Sequence, residues 1–83
     1  MYTILKEKGY NGNNNIWEAI NWLQDCQIQV DLVTTWDKEK EDVITGKMVQ
    51  FHIPPYKKIW NSSVMKNYED AFTELVFKCK DYL

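Results

Sequence analysis

The segment NIWEAINWLQDCQIQVDLVTTW (Asn15–Trp36) gives the clearest indication of the fold class, because its hydrophobic period changes from helical to extended over only a few residues. Apolar residues first recur three or four positions apart, which predicts a helix over Ile16–Asp25. Asn15 is a good N-cap for this helix, and Glu18 follows it at the spacing of a capping box. Over Ile28–Trp36 apolar and polar residues alternate, which predicts a half-buried strand. A helix followed at once by a strand favours a mixed α+β domain.

A second strand is predicted over Val43–Ile53, with Gly46 at a bulge or a second turn. The run Asp37–Asp42 between the two strands alternates in charge and predicts a solvated turn. The prolines at 54–55 end the second strand, because proline cannot donate to a ladder, and Lys57–Trp60 predicts a short third strand at the sheet edge. The alternation assigns these side chains to one face of their strand: Ile28, Val30, Leu32, Thr34 and Trp36 in the first, and Val49, Phe51 and Ile53 in the second.

Two further helical segments flank the strands. Met1–Lys8 is predicted as a short helix or an extended arm, ended by Gly9. Asn67 caps a last helix, whose acidic first turn suits the positive helix N-terminus. The apolar residues of this helix recur in steps of three and four: Tyr68, Ala71, Phe72, Leu75, Val76, Cys79, Tyr82 and Leu83. Phe77 lies opposite that stripe, among charged residues.

These elements predict a single domain over residues 1–83, because 83 residues are too few for two domains. We expect a two-layer α+β sandwich, in which a two- to three-stranded antiparallel sheet carries the two main helices on one face. The expected order is α-α-β-β-(β)-α, with the first helix short or absent.

The charge balance argues against nucleic acid as a partner. Ten Lys and no Arg face twelve acidic residues, for a formal net charge of −2. Arg is the usual bidentate reader of guanine and phosphate, so an acidic chain without Arg is a poor nucleic-acid binder.

No apolar run approaches the roughly 20 residues of a membrane helix, and the N-terminus lacks the apolar core of a signal peptide. We therefore expect a cytosolic protein.

Few residues offer catalytic or metal chemistry. Cys26 and Cys79 form no metal-binding pair, and two buried thiols are expected in the cytosol in preference to a disulfide. His52, the single histidine, stands near no Ser or Cys motif, and a catalytic His needs an orienting partner. We expect no catalytic residue, no metal site and no cofactor. A small enzyme centred on His52 is the less favoured alternative.

Aromatic residues are numerous for a chain of this size: four Trp, five Tyr and three Phe. Four tryptophans are too many to enclose fully in so small a core, and Trp and Tyr are enriched at interface hot spots. We predict that a subset forms an exposed apolar patch used for association. The residues assigned to this candidate interaction surface are Trp22, Tyr56, Trp60 and Phe77.

Four stretches carry a resemblance to a known group of proteins: LKEKGYNG (Leu5–Gly12), AINWLQD (Ala19–Asp25), IQVDLV (Ile28–Val33) and NYEDAFTELVFKCKDYL (Asn67–Leu83). In these the chain resembles small proteins from phages, prophages and mobile elements of gut Bacteroidetes. The resemblance implies an α+β fold and a mobile-element origin. That group has no assigned activity and no catalytic residues, so no functional residue carries over.

From these observations we expect a non-catalytic protein-interaction module that binds a protein partner or a second copy of itself. A nucleic-acid-associated accessory protein that uses Lys57, Lys58, Lys66 and aromatic residues is the main alternative. No small-molecule ligand is inferred.

Overall fold

The computed structural model describes residues 1–37, 43–54 and 56–83, and it has the predicted α+β architecture. The described elements follow in the order α1 (Tyr2–Glu7), α2 (Ile16–Asp25), β1 (Gln29–Asp37), β2 (Val43–His52), β3 (Ile59–Asn61) and α3 (Tyr68–Lys78). The strands form one antiparallel sheet in the order β1-β2-β3. Residues 38–42 of the predicted charged turn, and Pro55 of the predicted strand stop, lie outside the described residues.

The predicted cap of α2 is confirmed, and its capping box is displaced by two residues. The Asn15 Oδ1 atom accepts the backbone N–H groups of Trp17 at 2.8 Å and Glu18 at 3.3 Å. The Glu18 carboxylate does not turn back to the cap residue: it accepts the backbone N–H of Asn13 at 2.8 Å. The carboxylate thereby ties the preceding loop to the first turn of α2.

The other two helices begin where the sequence signals them, but α3 ends at Lys78, before the last residues of its predicted apolar stripe. The first segment is a helix rather than an extended arm; Gly9 follows it with a φ of 111°, a left-handed conformation that favours glycine. The Asn67 Oδ1 atom accepts the Asp70 N–H at 2.8 Å at the start of α3. In the α3 stripe Tyr68 is half-buried, and the residues from Ala71 to Cys79 are buried. Tyr82 follows the end of the helix and is 41% exposed.

The centre of the core is a row of three side chains across the sheet. Val30 pairs with Phe51, Phe51 pairs with Trp60, and all three are less than one-tenth exposed. Phe72 of α3 packs on this row, with its ring centroid 5.7 Å from that of Phe51 in an edge-to-face arrangement. The third strand is thus confirmed at the edge of the sheet. Val49, Phe51 and Ile53, which the sequence placed together on one face of β2, are all buried, and the strand register shows that this face is the one that joins the core.

The face of β1 that the alternation assigns to Ile28, Val30, Leu32, Thr34 and Trp36 is buried only in its first half. Ile28 and Val30 are buried, whereas Leu32 is 37% exposed and Thr34 is exposed. A strand rises about 3.3 Å per residue and a helix about 1.5 Å, so β1 extends about 30 Å and α2 about 15 Å. The strands therefore extend past the helices that cover them. The side chain of Trp36, also assigned to this face, is outside the described part of the structure.

Of the two alternatives predicted for Gly46, a bulge or a second turn, the structure shows the bulge, because the β1–β2 register shifts just after the pair Thr35–Gly46. A Cβ atom on Gly46 would overlap the Val64 side chain and would lie 2.8 Å from the Thr35 Oγ1 atom. Beside it, Lys47 exchanges two backbone hydrogen bonds with Met65, at 2.7 and 2.9 Å. The missing side chain lets the segment after β3 run close along β2.

We predict that Gly46→Ala lowers the free energy of unfolding by about 1–3 kcal/mol, because the added methyl group overpacks this contact. Urea unfolding followed by tryptophan fluorescence measures the change. Thr34→Ala is the matched control: its side chain is exposed in the same hairpin, and its expected cost is below about 1 kcal/mol. An unfolding midpoint of Gly46→Ala equal to that of the wild type would contradict the close approach.

Candidate interaction surface

The structure divides the four residues predicted to form an interaction surface. Tyr56 and Phe77 are exposed, at 45% and 51%. Trp60 is only 5% exposed and belongs to the core, so the expectation that it is exposed is wrong. Trp22 is half-buried: it packs against the core, and its ring centroid lies 5.5 Å from that of Tyr10. Trp60 is enclosed because its side chain points to the helix-covered face of the sheet. The alternation of a strand of only three residues is too short to predict which face that is.

Tyr56, Trp60 and Tyr82 form a compact group that we name the aromatic cluster. The Tyr56 and Tyr82 rings meet edge-to-face with centroids 5.2 Å apart. Both also contact the Trp60 ring, at 5.6 Å from Tyr56 and 5.0 Å from Tyr82. Two exposed tyrosine rings are therefore supported from below by a buried indole. The structure records no aromatic contact of Phe77 among the described residues, so Phe77 is an exposed side chain apart from this cluster.

Lysine side chains give the aromatic cluster a positive rim. The Lys58 Nζ atom lies 4.9 Å from the centroid of the Trp60 ring, within cation–π range. The Lys78 Nζ atom donates to the backbone carbonyl of Asn61 at 3.0 Å. Burial raises the pKa of the Cys79 thiol to about 11, and the charges of Lys78 and Lys58 oppose this rise. The ammonium groups of Lys58 and Lys78 therefore lie near the C-terminal end of α3, where the aromatic cluster also lies.

The sequence pattern missed two exposed aromatic residues. Tyr82 was assigned to the buried stripe of the last helix, but the helix ends before it. Trp17 flanks the stripe of α2 and is 53% exposed. It lines an open groove of about 390 Å³ between the N-terminal ends of α2 and α3. In the same groove the Lys47 Nζ atom lies 5.2 Å from the centroid of the Tyr68 ring.

His52 lies on the open face of the sheet, exposed, between Gln29 and Ile59 in the strand register. It lines a second open groove, of about 480 Å³, together with Gln27, Gln29, Ile53, Pro54, Tyr56 and Lys57. No carboxylate belongs to that lining within the described chain, and a catalytic imidazole needs an orienting partner. The small-enzyme alternative gains no support from this geometry.

The three lysines of the nucleic-acid alternative do not lie in one patch. Lys58 contacts the aromatic cluster, and Lys57 is its neighbour in the chain. Lys66 immediately precedes the N-cap of α3, at the end of the helix opposite to the cluster. Eleven helical residues separate the two ends by roughly 16 Å. The nucleic-acid alternative therefore remains a prediction that rests on Lys57 and Lys58.

Both cysteines are free thiols, but they differ in environment. Cys79 is fully buried, as expected of a small apolar residue. Cys26 is exposed, so its prediction as a buried thiol is wrong: it is the C-cap of α2 and lies past the end of the buried stripe. Across residues 1–37, 43–54 and 56–83, no three His, Cys, Asp or Glu side chains are grouped as ligands for a metal ion.

We predict that iodoacetamide at pH 8 alkylates Cys26 at least about a hundredfold faster than Cys79, because the thiolate is the nucleophile and burial raises the pKa of the Cys79 thiol to about 11. Mass spectrometry of native protein after short exposure gives the two rates. In urea both thiols should react at similar rates, which is the control. Equal rates in the native protein would show that Cys79 is accessible.

Comparison of the chain with protein-family models, with curated proteins and with solved structures gives no match. No helix in the described ranges combines the length and the hydrophobicity that are needed to cross a membrane.

Proposed function

We propose that the chain is a non-catalytic protein-interaction module that binds its partner through the aromatic cluster. The observation that carries this proposal is the support of exposed Tyr56 and Tyr82 on buried Trp60. Rings that are already fixed by packing lose little conformational freedom when a partner covers them. Tyrosine is also enriched among the residues that dominate binding energy at interfaces.

The charges around the aromatic cluster specify the chemistry of the partner. Lys58 and Lys78 lie at the cluster, and Lys57 lines the groove that Tyr56 borders. A positive rim around an apolar centre complements a partner with an apolar centre and acidic margins. The mobile-element origin implied by the resemblance belongs to the same proposal and does not specify the partner further.

We predict that a photo-crosslinking amino acid at position 82 or 56 captures one defined protein in cells that express the chain. Captured in this way, the partner is identified by mass spectrometry. Its affinity for purified Tyr82→Ser should be at least about tenfold weaker than for the wild type, since loss of a hot-spot side chain costs more than about 1.4 kcal/mol. Raising the salt concentration should slow association, because the rim is charged.

The same crosslinker at position 7, an exposed residue at the end of α1, is the control. Phe77→Lys separates two surfaces: it should leave binding unchanged if the aromatic cluster alone is the contact, and should weaken it if the outer face of α3 takes part. Crosslinking at positions 56 and 82 no stronger than at position 7 would contradict the proposal. A salt-sensitive gel shift with single-stranded nucleic acid would favour the nucleic-acid alternative instead.

A further inference from the structure

The free edge of β1 is a second, separate feature of the sheet. β1 pairs with β2 on one side only, because the strand order is β1-β2-β3. With nine residues it is also three times as long as β3. An edge strand presents unpaired backbone N–H and C=O groups, which are a template for another strand unless the protein covers them.

The hydrogen bonds of β2 show which residues of β1 direct their backbone N–H and C=O groups away from β2. Lys47 and Val49 direct their backbone N–H and C=O groups away from β1, to Met65 and Ser62. In an antiparallel ladder this direction alternates from residue to residue. Met48 and Gln50, the neighbours of Val49, therefore bond to β1, and the same alternation makes His52 bond to β1 as well.

The register then identifies the unpaired groups of β1. Met48, Gln50 and His52 face Val33, Asp31 and Gln29, so these three residues of β1 bond to β2. Val30, Leu32 and Thr34 turn their N–H and C=O groups outward. Apart from the sheet's own ladder, no backbone hydrogen bond of these three residues is present in the described structure.

The opposite edge of the sheet is protected. β3 has only three residues, and the Lys78 ammonium binds the outward carbonyl of Asn61 at 3.0 Å. Short strands and lysine side chains are the usual means by which proteins block an edge. β1 carries neither proline nor lysine in its sequence QVDLVTTWD. Only one of the two sheet edges thus offers a template, which favours a closed pair over an open chain of molecules.

We propose that two copies of the chain associate through their β1 edges, antiparallel and related by a two-fold axis, to form one sheet of six strands, three from each copy. A second copy of the chain is thus one partner of the interaction module proposed above. It uses a surface other than the aromatic cluster, so either proposal can fail without the other.

The side chains of β1 select the register of this pairing. A two-fold axis at Leu32 places the two Leu32 side chains together and covers apolar surface that is 37% exposed in one copy. It also places Asp31 opposite Val33 of the second copy. An axis one residue earlier would oppose two Asp31 carboxylates, which is unfavourable.

The oligomeric state of the full chain tests this inference. Sedimentation velocity should give a dimer at micromolar concentrations for the wild type. Thr34→Pro removes an outward N–H without removing a β1–β2 hydrogen bond, and Leu32→Lys places two ammonium groups at the axis. Each should raise the dimer dissociation constant by at least roughly tenfold. Thr34→Val, which keeps the outward N–H, and Tyr82→Ser, which alters only the aromatic cluster, should both remain dimeric.

A wild-type chain that stays monomeric at its highest soluble concentration would overturn the inference. A dimer that survives both Thr34→Pro and Leu32→Lys would overturn it too, while leaving the aromatic cluster as a contact. If circular dichroism shows that a variant does not fold, amide hydrogen exchange of the wild-type chain tests the β1 pairing instead. Protection of the Val30, Leu32 and Thr34 amides that increases with protein concentration supports the β1 pairing, and protection independent of concentration contradicts it.

Discussion

The edge-to-face contact between Phe51 and Phe72 joins α3 to the sheet, and the enclosure of Trp60 and the aromatic cluster both follow from it. Both rings are fully buried, and their contact fixes α3 over the central strand. Because Trp60 pairs with Phe51 in the register, the same packing draws Trp60 into the core. Tyr56 and Tyr82 then lie over the buried indole instead of over solvent-exposed backbone. The candidate binding surface is thus a consequence of how the core is packed.

The different rise of helices and strands shapes the other half of the molecule. Ten residues of helix cover about half the length that nine residues of strand reach. The far part of β1 therefore keeps a strand pattern without a helix to bury it, and Leu32 is left partly in solvent. Gly46 and the bulge beside it let the segment after β3 run along the edge of β2 that faces away from β1. Nothing comparable covers β1 within the described chain.

The two proposed contact surfaces lie at opposite edges of the sheet. The aromatic cluster is built on β3 and the end of α3, whereas the free backbone groups belong to β1, with β2 between them. A dimer formed through β1 would leave both aromatic clusters at its outer edges, available to further partners. Such a dimer would bind a bivalent or repeated target more tightly than one copy does, because the second contact becomes intramolecular.

Local signals in the sequence predicted the bounds of α2 and both Asn caps, because periodicity and turn chemistry act over a few residues. They left open which face of β2 is buried and whether Gly46 forms a bulge or a second turn, and strand pairing resolves both. Trp60 is enclosed because of strand pairing, and Tyr82 is exposed because α3 ends before it. The free backbone edge likewise depends on strand order, which is a property of the assembled sheet and of no single segment.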